Sequence, residues 1–154
     1  MKIISGAQTG VDRAALDAAI ELGIEYGGSI PKGRLAEDGP IDKKYFDLVE
    51  LEAASYSIRT EKNVKDADAT LIFTVGRLTG GTAFTKDYAR KHHKPHLVID
   101  LEDKEDMDVV LQIREWLSNN QPEILNIAGP RESMVPGIYQ RVFNILSDVF
   151  DFFV

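Results

Sequence analysis

Short, nearly uninterrupted apolar runs alternate along this chain with segments whose apolar residues recur every third or fourth position. The first run, Lys2-Ile3-Ile4-Ser5, passes through Gly6-Ala7-Gln8-Thr9-Gly10 into an Ala-rich stretch from Val11 to Leu22. There Val11, Ala14, Ala15, Ala18, Ala19 and Leu22 share one helical face. The pattern predicts strand, loop, helix, with Thr9 and Asp12 as a capping pair and Gly23 as the stop. Residues 24–30 read as a second strand that ends at Pro31, which has no N–H for a sheet ladder. A polar loop from Pro31 to Pro40 follows. From Ile41 to Asp66 the periodicity is weakly helical, with Tyr45, Leu48 and Leu51 on one stripe.

The later pattern is sharper. Residues 69–75 form the clearest buried strand, followed by the glycine-containing loop Gly76-Arg77-Leu78-Thr79-Gly80-Gly81-Thr82 and a helix to about His92. His96–Asp100 is a strand, and a helix over Lys104–Leu117 follows, with Asp103 as cap and Met107, Val110, Leu111 and Leu117 as its apolar stripe. Glu123–Ile127 is the last strand, and the final helix opens near Pro136 with Ile138, Val142, Ile145 and Val149 inward. Apolar strands alternating with amphipathic helices require a mostly parallel sheet covered on both faces. The predicted fold is α/β: a Rossmann-like, doubly wound three-layer sandwich, with residues 1–154 as one domain.

Composition narrows the function. The net charge of −7 argues against nucleic-acid binding, which calls for clustered Lys and Arg. The absence of cysteine excludes thiolate zinc sites, iron–sulfur clusters and thiol nucleophiles, and haem is not expected either. His92, His93 and His96 do not form a zinc site, because Pro95 breaks the helix between them. No apolar stretch is long enough to cross a bilayer, and Met1–Gly6 is too short for a signal-peptide core, so a cytoplasmic protein without a membrane partner is expected. Val149-Phe150-Asp151-Phe152-Phe153-Val154 predicts burial of the tail, in the domain's own core or in a homo-oligomer interface.

In doubly wound sheets ligands bind beyond the carboxyl ends of the strands, where the glycines of this chain gather. Ser5-Gly6-Ala7-Gln8-Thr9-Gly10 lacks both the dinucleotide fingerprint and the Gly-Lys-Ser/Thr end of a P-loop, yet it remains a glycine-rich strand-to-helix turn. Gly80-Gly81-Thr82 opens a second helix, and two such N-termini at one crevice suit a phosphate. Gly129-Pro130-Arg131-Glu132-Ser133 offers a guanidinium on a rigid turn, with an Arg131–Glu132 surface pair as the plainer alternative. Lys32 and Arg34 make the second loop basic. Arg59-Thr60-Glu61-Lys62-Asn63 reads as helix surface, with a Glu61–Lys65 pair. Asp12, Glu37, Asp38 and Glu132 are the carboxylates near the crevice.

These loops, taken together, resemble a known family. Ser5-Gly6-Ala7-Gln8-Thr9-Gly10-Val11-Asp12-Arg13-Ala14-Ala15-Leu16-Asp17, Pro31-Lys32-Gly33-Arg34 through Glu37-Asp38-Gly39-Pro40, Arg59–Val64 and Leu125–Ser133 closely resemble the putative molybdenum carrier family, the circularly permuted YpsA-like members of the SLOG superfamily. The resemblance spans nearly the whole chain and extends more distantly to Lonely Guy and lysine-decarboxylase-like proteins. It implies a crevice that takes a nucleotide or pterin phosphate. Carried onto this chain, it implies ligand contacts from Gly6, Gln8, Thr9, Gly10, Arg13, Lys32, Arg34, Arg59, Thr60 and Asn63, and from Gly80, Gly81, Thr82, Gly129, Arg131 and Ser133. One departure is informative: where the Lonely Guy loop carries a glutamate after its Gly-Thr, this chain has Gly81-Thr82-Ala83-Phe84-Thr85.

No positioned nucleophile or Ser-His-Asp order stands out, so the residues lean toward a carrier of a small phosphorylated ligand rather than an enzyme. By the resemblance, that ligand is molybdenum cofactor or a related pterin or nucleotide, and molybdoenzymes are the implied partners. Without cysteine, the contact would run through pterin and phosphate, or through a molybdate oxyanion. The alternative is a nucleotide- or nucleoside-phosphate hydrolase that uses a crevice carboxylate.

Overall fold

The computed structural model describes residues 1–154. Its elements are β1 (Lys2–Ile4), α1 (Val11–Glu21), β2 (Tyr26–Ile30), β3 (Leu35–Ala36), β4 (Gly39–Pro40), β5 (Leu48–Glu50), α2 (Tyr56–Asp66), β6 (Ala69–Thr74), α3 (Gly80–Lys91), β7 (His96–Asp100), α4 (Asp106–Asn120), β8 (Ile124–Ala128) and α5 (Ile138–Asp151). Six strands form one parallel sheet in the order β5-β2-β1-β8-β6-β7. The chain winds outward from β1 through β2 to β5, restarts at β6 and moves to β7, and then returns to insert β8 between β1 and β6. α1, α4 and α5 pack together on one face, and α2 and α3 pair on the other.

The predicted doubly wound architecture is therefore present. All six residues of β6 are buried, as expected for a strand covered on both faces. The stripe Ile138, Val142, Ile145 and Val149 of α5 is likewise buried, against a core that includes Leu16, Phe73 and Phe150. Each such side chain contributes about 1.5–3 kcal/mol by leaving water.

Four local expectations are corrected. Residues 41–55 are not helical: Leu48 enters the sheet as part of β5, which lies opposite Gly28–Ile30 of β2. Tyr45 and Leu48 are buried because this segment runs along the sheet edge, and their spacing of three imitates a helical stripe. The 31–40 loop contains a hairpin, with Leu35 opposite Pro40 and Ala36 opposite Gly39. α4 begins at Asp106, since Asp103 takes a left-handed φ of 56° rather than the extended backbone of an N-cap. Its inward face is Val109, Val110, Ile113 and Leu117, and both Met107 and Leu111 are exposed. At α1 the N-cap is Gly10 at φ 78°, with no side-chain cap, and Asp12 instead accepts the Gln8 N–H.

The apolar tail divides. Val149 and Phe150 are fully buried, whereas Phe152, Phe153 and Val154 are exposed. No helix is long and apolar enough to cross a membrane.

Candidate functional site

The loops that follow β1, β6 and β8 open at the same end of the sheet, where the direction of winding reverses. Between them and the exposed ends of α2 and α3 lies a cavity of about 490 Å³. Its floor includes Gly6, Asp12, Arg59 and Asn126. The α3 side contributes Gly80, Gly81, Thr82 and Phe84, and the roof contributes Pro130, Arg131 and Met134. A volume of this size suits a small ligand.

Arg59 sits at the centre of the site. α2 is capped by Ser55, whose hydroxyl accepts the Ile58 N–H, and is pinned to β2 by Asn63, which accepts from Ser29 N at 2.7 Å and donates to Ser29 O at 3.1 Å. That anchorage turns Arg59 inward, leaving it 9% exposed. Its guanidinium occupies the space beside Gly6, where a Cβ would lie 1.4 Å from Nη1, so Gly6 is needed to admit an arginine. Nη1 donates to Asp12 Oδ2 at 3.4 Å, while the buried Nε has no partner. Asp12 is pushed up to about 6: burial disfavours its charge, and Arg59 offsets this only in part.

α3 presents the other polar wall. Its N-cap, Thr79, makes no side-chain cap, and nothing stands within 4 Å of a Cβ placed on Gly80 or Gly81. The amides of this turn are accordingly open to an acceptor. Arg77 and Arg131 also line the cavity; Arg77 makes no ion pair, and Arg131 faces Glu37 at 4.0 Å.

The remaining candidates divide by location. Gly6, Gln8, Arg59, Thr60, Asn63, Gly80, Gly81, Thr82, Gly129 and Arg131 line the cavity. Thr9, Gly10, Arg13 and Ser133 border a shallower depression on the far side of the first loop, together with Asp17, Tyr45 and Tyr139. Lys32 and Arg34 line neither.

A clasp explains this division. Glu37, at the tip of the β3–β4 hairpin, accepts from the Thr9 hydroxyl, from Ser133 N at 3.1 Å and from Ser133 Oγ. These bonds, the one from Ser133 Oγ foremost, hold its carboxyl below the usual carboxylate range. Arg13 donates through both Nη atoms to Asp38, and Gln8 Oε1 accepts from Glu37 N at 2.9 Å. The hairpin thus ties together the loops after β1 and β8. Behind it, Asp17 accepts from the Tyr45 and Tyr139 hydroxyls at 2.7 and 2.6 Å; burial, and then these bonds, raise both phenols.

Several pairings differ from expectation. Glu61 bonds His92 and Lys91 rather than Lys65. Glu132 accepts from Gly137 N and Tyr139 N at the start of α5 instead of pairing with Arg131. Tyr56, Arg77, Phe84, Asn126 and Met134 line the cavity but were not singled out from the sequence. Of these, Arg77 was within reach of sequence reasoning, since it lies in a strand-end loop. The others depend on helix rotation and loop path.

The model of the circularly permutated YpsA SLOG family matches residues 3–150. The chain is similar to a crystal structure described as a Putative molybdenum carrier protein from Syntrophus aciditrophicus SB, with 49% identity and a TM-score of 0.93 over 96% of this chain and 93% of that one. No curated protein matches it.

Proposed function

The chain belongs to the circularly permutated YpsA SLOG family, and on that premise we propose that it binds and carries a small phosphate-bearing ligand in the cavity at the strand carboxyl ends. The observation that carries this reading is the conjunction of a buried, incompletely partnered Arg59 with the uncapped N-terminus of α3 in one cavity. A planar, forked guanidinium and a row of open amides both match a phosphate group. The description of the similar Syntrophus protein as a molybdenum carrier supports a molybdenum-bearing cargo, and the resemblance of the loops supports molybdenum cofactor, or a related pterin or nucleotide, as its form. Phe84 and Met134, both more than half exposed at the cavity's edge, offer apolar surface to such a ring.

A carrier needs binding without a positioned nucleophile, and the polar groups lining this cavity are suited to holding an anion. The competing hydrolase reading has one observation in its favour. Asp12 is the single carboxylate lining the cavity, so that reading must assign proton transfer to it.

The test is Arg131→Ala, assayed by calorimetric titration with inorganic phosphate and with ligand released from protein purified from its host. Arg131 is exposed and its nearest carboxylate is 4.0 Å away, so the expected outcome is binding weakened at least tenfold with an unchanged melting temperature. Unchanged affinity would refute the placement of Arg131. Formation of product from the released ligand would transfer the assignment to the hydrolase.

A further inference from the structure

Three of the four arginines at the site are already paired before any anion arrives. On α1, Arg13 is held bidentately by Asp38 from the hairpin. In the loop after β8, Arg131 faces Glu37 at 4.0 Å, and from α2, Arg59 reaches Asp12 at 3.4 Å. These three arginines are also the charged groups that act on Asp12, and each already has a carboxylate. Among the cationic side chains lining the cavity, only Arg77 has no carboxylate partner. A doubly charged oxyanion entering next to Arg59 therefore meets one unneutralised side-chain charge and the partial charge of the α3 N-terminus. About half a negative charge is left over, beside a buried Asp12 carboxylate whose own charge is already costly.

The Asp12–Arg59 pair offers the remedy. Both of the carboxylate's hydrogen bonds, from Gln8 N at 3.3 Å and Arg59 Nη1 at 3.4 Å, end on Oδ2. Oδ1 has no partner and is not wholly buried. Arg59 has only that one long hydrogen bond and a buried Nε, so its fork can turn to a ligand without breaking a second hydrogen bond, although it also lies over the Tyr56 ring at 5.6 Å. Once it does, Asp12 loses its nearest compensating charge and gains a like-charged neighbour.

We propose that the site accepts a doubly charged oxyanion only together with one proton, taken from solvent and held on Asp12 Oδ1. The proton neutralises Asp12, frees Arg59 for the anion and supplies an O–H that donates to a ligand oxygen. No bond other than O–H forms, and nothing is oxidised or reduced. Asp12 already titrates near 6, so the coupling falls within the physiological range. The inference rests on the phosphate-binding reading above and adds to it a selection by ligand charge.

The experiment uses sulfate, which remains a dianion throughout pH 5–8, so any proton taken up on binding belongs to the protein. The Asp12 carboxyl is followed by carbon NMR across that range with and without saturating sulfate, and sulfate affinity is measured by chemical-shift titration at each pH. The expected result is an upward move of at least one pH unit in the Asp12 midpoint. Sulfate affinity should correspondingly weaken across the interval between the free and bound midpoints, by up to about tenfold in all for each pH unit that the midpoint moves. In Asp12→Asn, whose amide oxygen can still accept from Gln8 N, that pH dependence should vanish. Binding with an unmoved Asp12 midpoint would overturn the coupling and leave the phosphate site standing. Failure of both sulfate and inorganic phosphate to bind at any pH would overturn the site itself. The NMR midpoint is read on the unmodified protein and does not depend on folding of the variant.

Discussion

Replacing Asp12 by asparagine should make the unliganded protein more stable at neutral pH and should remove part of its pH dependence. In the folded chain Asp12 titrates at about 6, against its ordinary value of 3.8. Below pH 3.8 the folded and unfolded chains both hold the proton. Between 3.8 and 6 the unfolded chain releases it and the folded chain retains it, so stability attributable to Asp12 falls as the pH rises, and the fall levels off above about pH 7. A gap of roughly two pH units corresponds to about 3 kcal/mol when fully developed, of which about 2 kcal/mol accrues between pH 4.5 and 7.5. Glu37, Asp38, Glu61 and Asp100, all held below the usual carboxylate range, have the opposite slope, with stability lost as the pH falls. They are common to both proteins, so the difference between variant and parent isolates Asp12. The assay is urea denaturation of both at pH 4.5, 5.5, 6.5 and 7.5. The asparagine variant should gain on its parent by about 2 kcal/mol over that series. Parallel stability profiles would refute the raised Asp12, and a variant that loses ground with rising pH would show that the Arg59 attraction outweighs burial.

Two further perturbations probe the surroundings. Gly6→Ala puts a methyl group where Arg59 Nη1 now sits, 1.4 Å away, so the guanidinium must swing out. Phosphate affinity should drop at least tenfold by calorimetry, with overpacking costing about 1–3 kcal/mol in urea denaturation, and retained affinity would mean that Arg59 is dispensable. In the tail, Phe150→Ala should cost about 3–5 kcal/mol because the ring is fully buried, and Phe152→Ala, at 61% exposure, less than about 1 kcal/mol. Equal losses by chemical denaturation would show that the exposed phenylalanine is covered in solution.

The fold was legible wherever the periodicity was long and strong. The stripe of α5, the unbroken apolar run of β6 and the spacing in α1 each map onto buried faces. It failed where burial comes from an edge rather than from a face, as at Tyr45 and Leu48, because a three-residue strand has too few alternations to register against a helical period. The site was partly legible for a similar reason. Glycines mark strand ends, but they do not reveal what fills the space of the missing side chain. At Gly6 it is Arg59, and at Gly10 it is the backbone of Pro130–Glu132, whereas Gly80 and Gly81 face open space. The clasp that occupies Thr9, Arg13 and Ser133 joins residues more than ninety positions apart, and no local pattern encodes it.

The position of β8 has a consequence for synthesis. It hydrogen-bonds to β1 on one side and β6 on the other, so until Ile124–Ala128 leave the ribosome the sheet exists only as two unconnected halves. Each half exposes a strand edge that the finished molecule seals, and α5, which covers α1, is made later still. A nascent chain of this topology must wait for β8 and α5 before folding of the whole sheet can become cooperative. A fragment ending before residue 124 therefore carries two open sheet edges and no strand to join them.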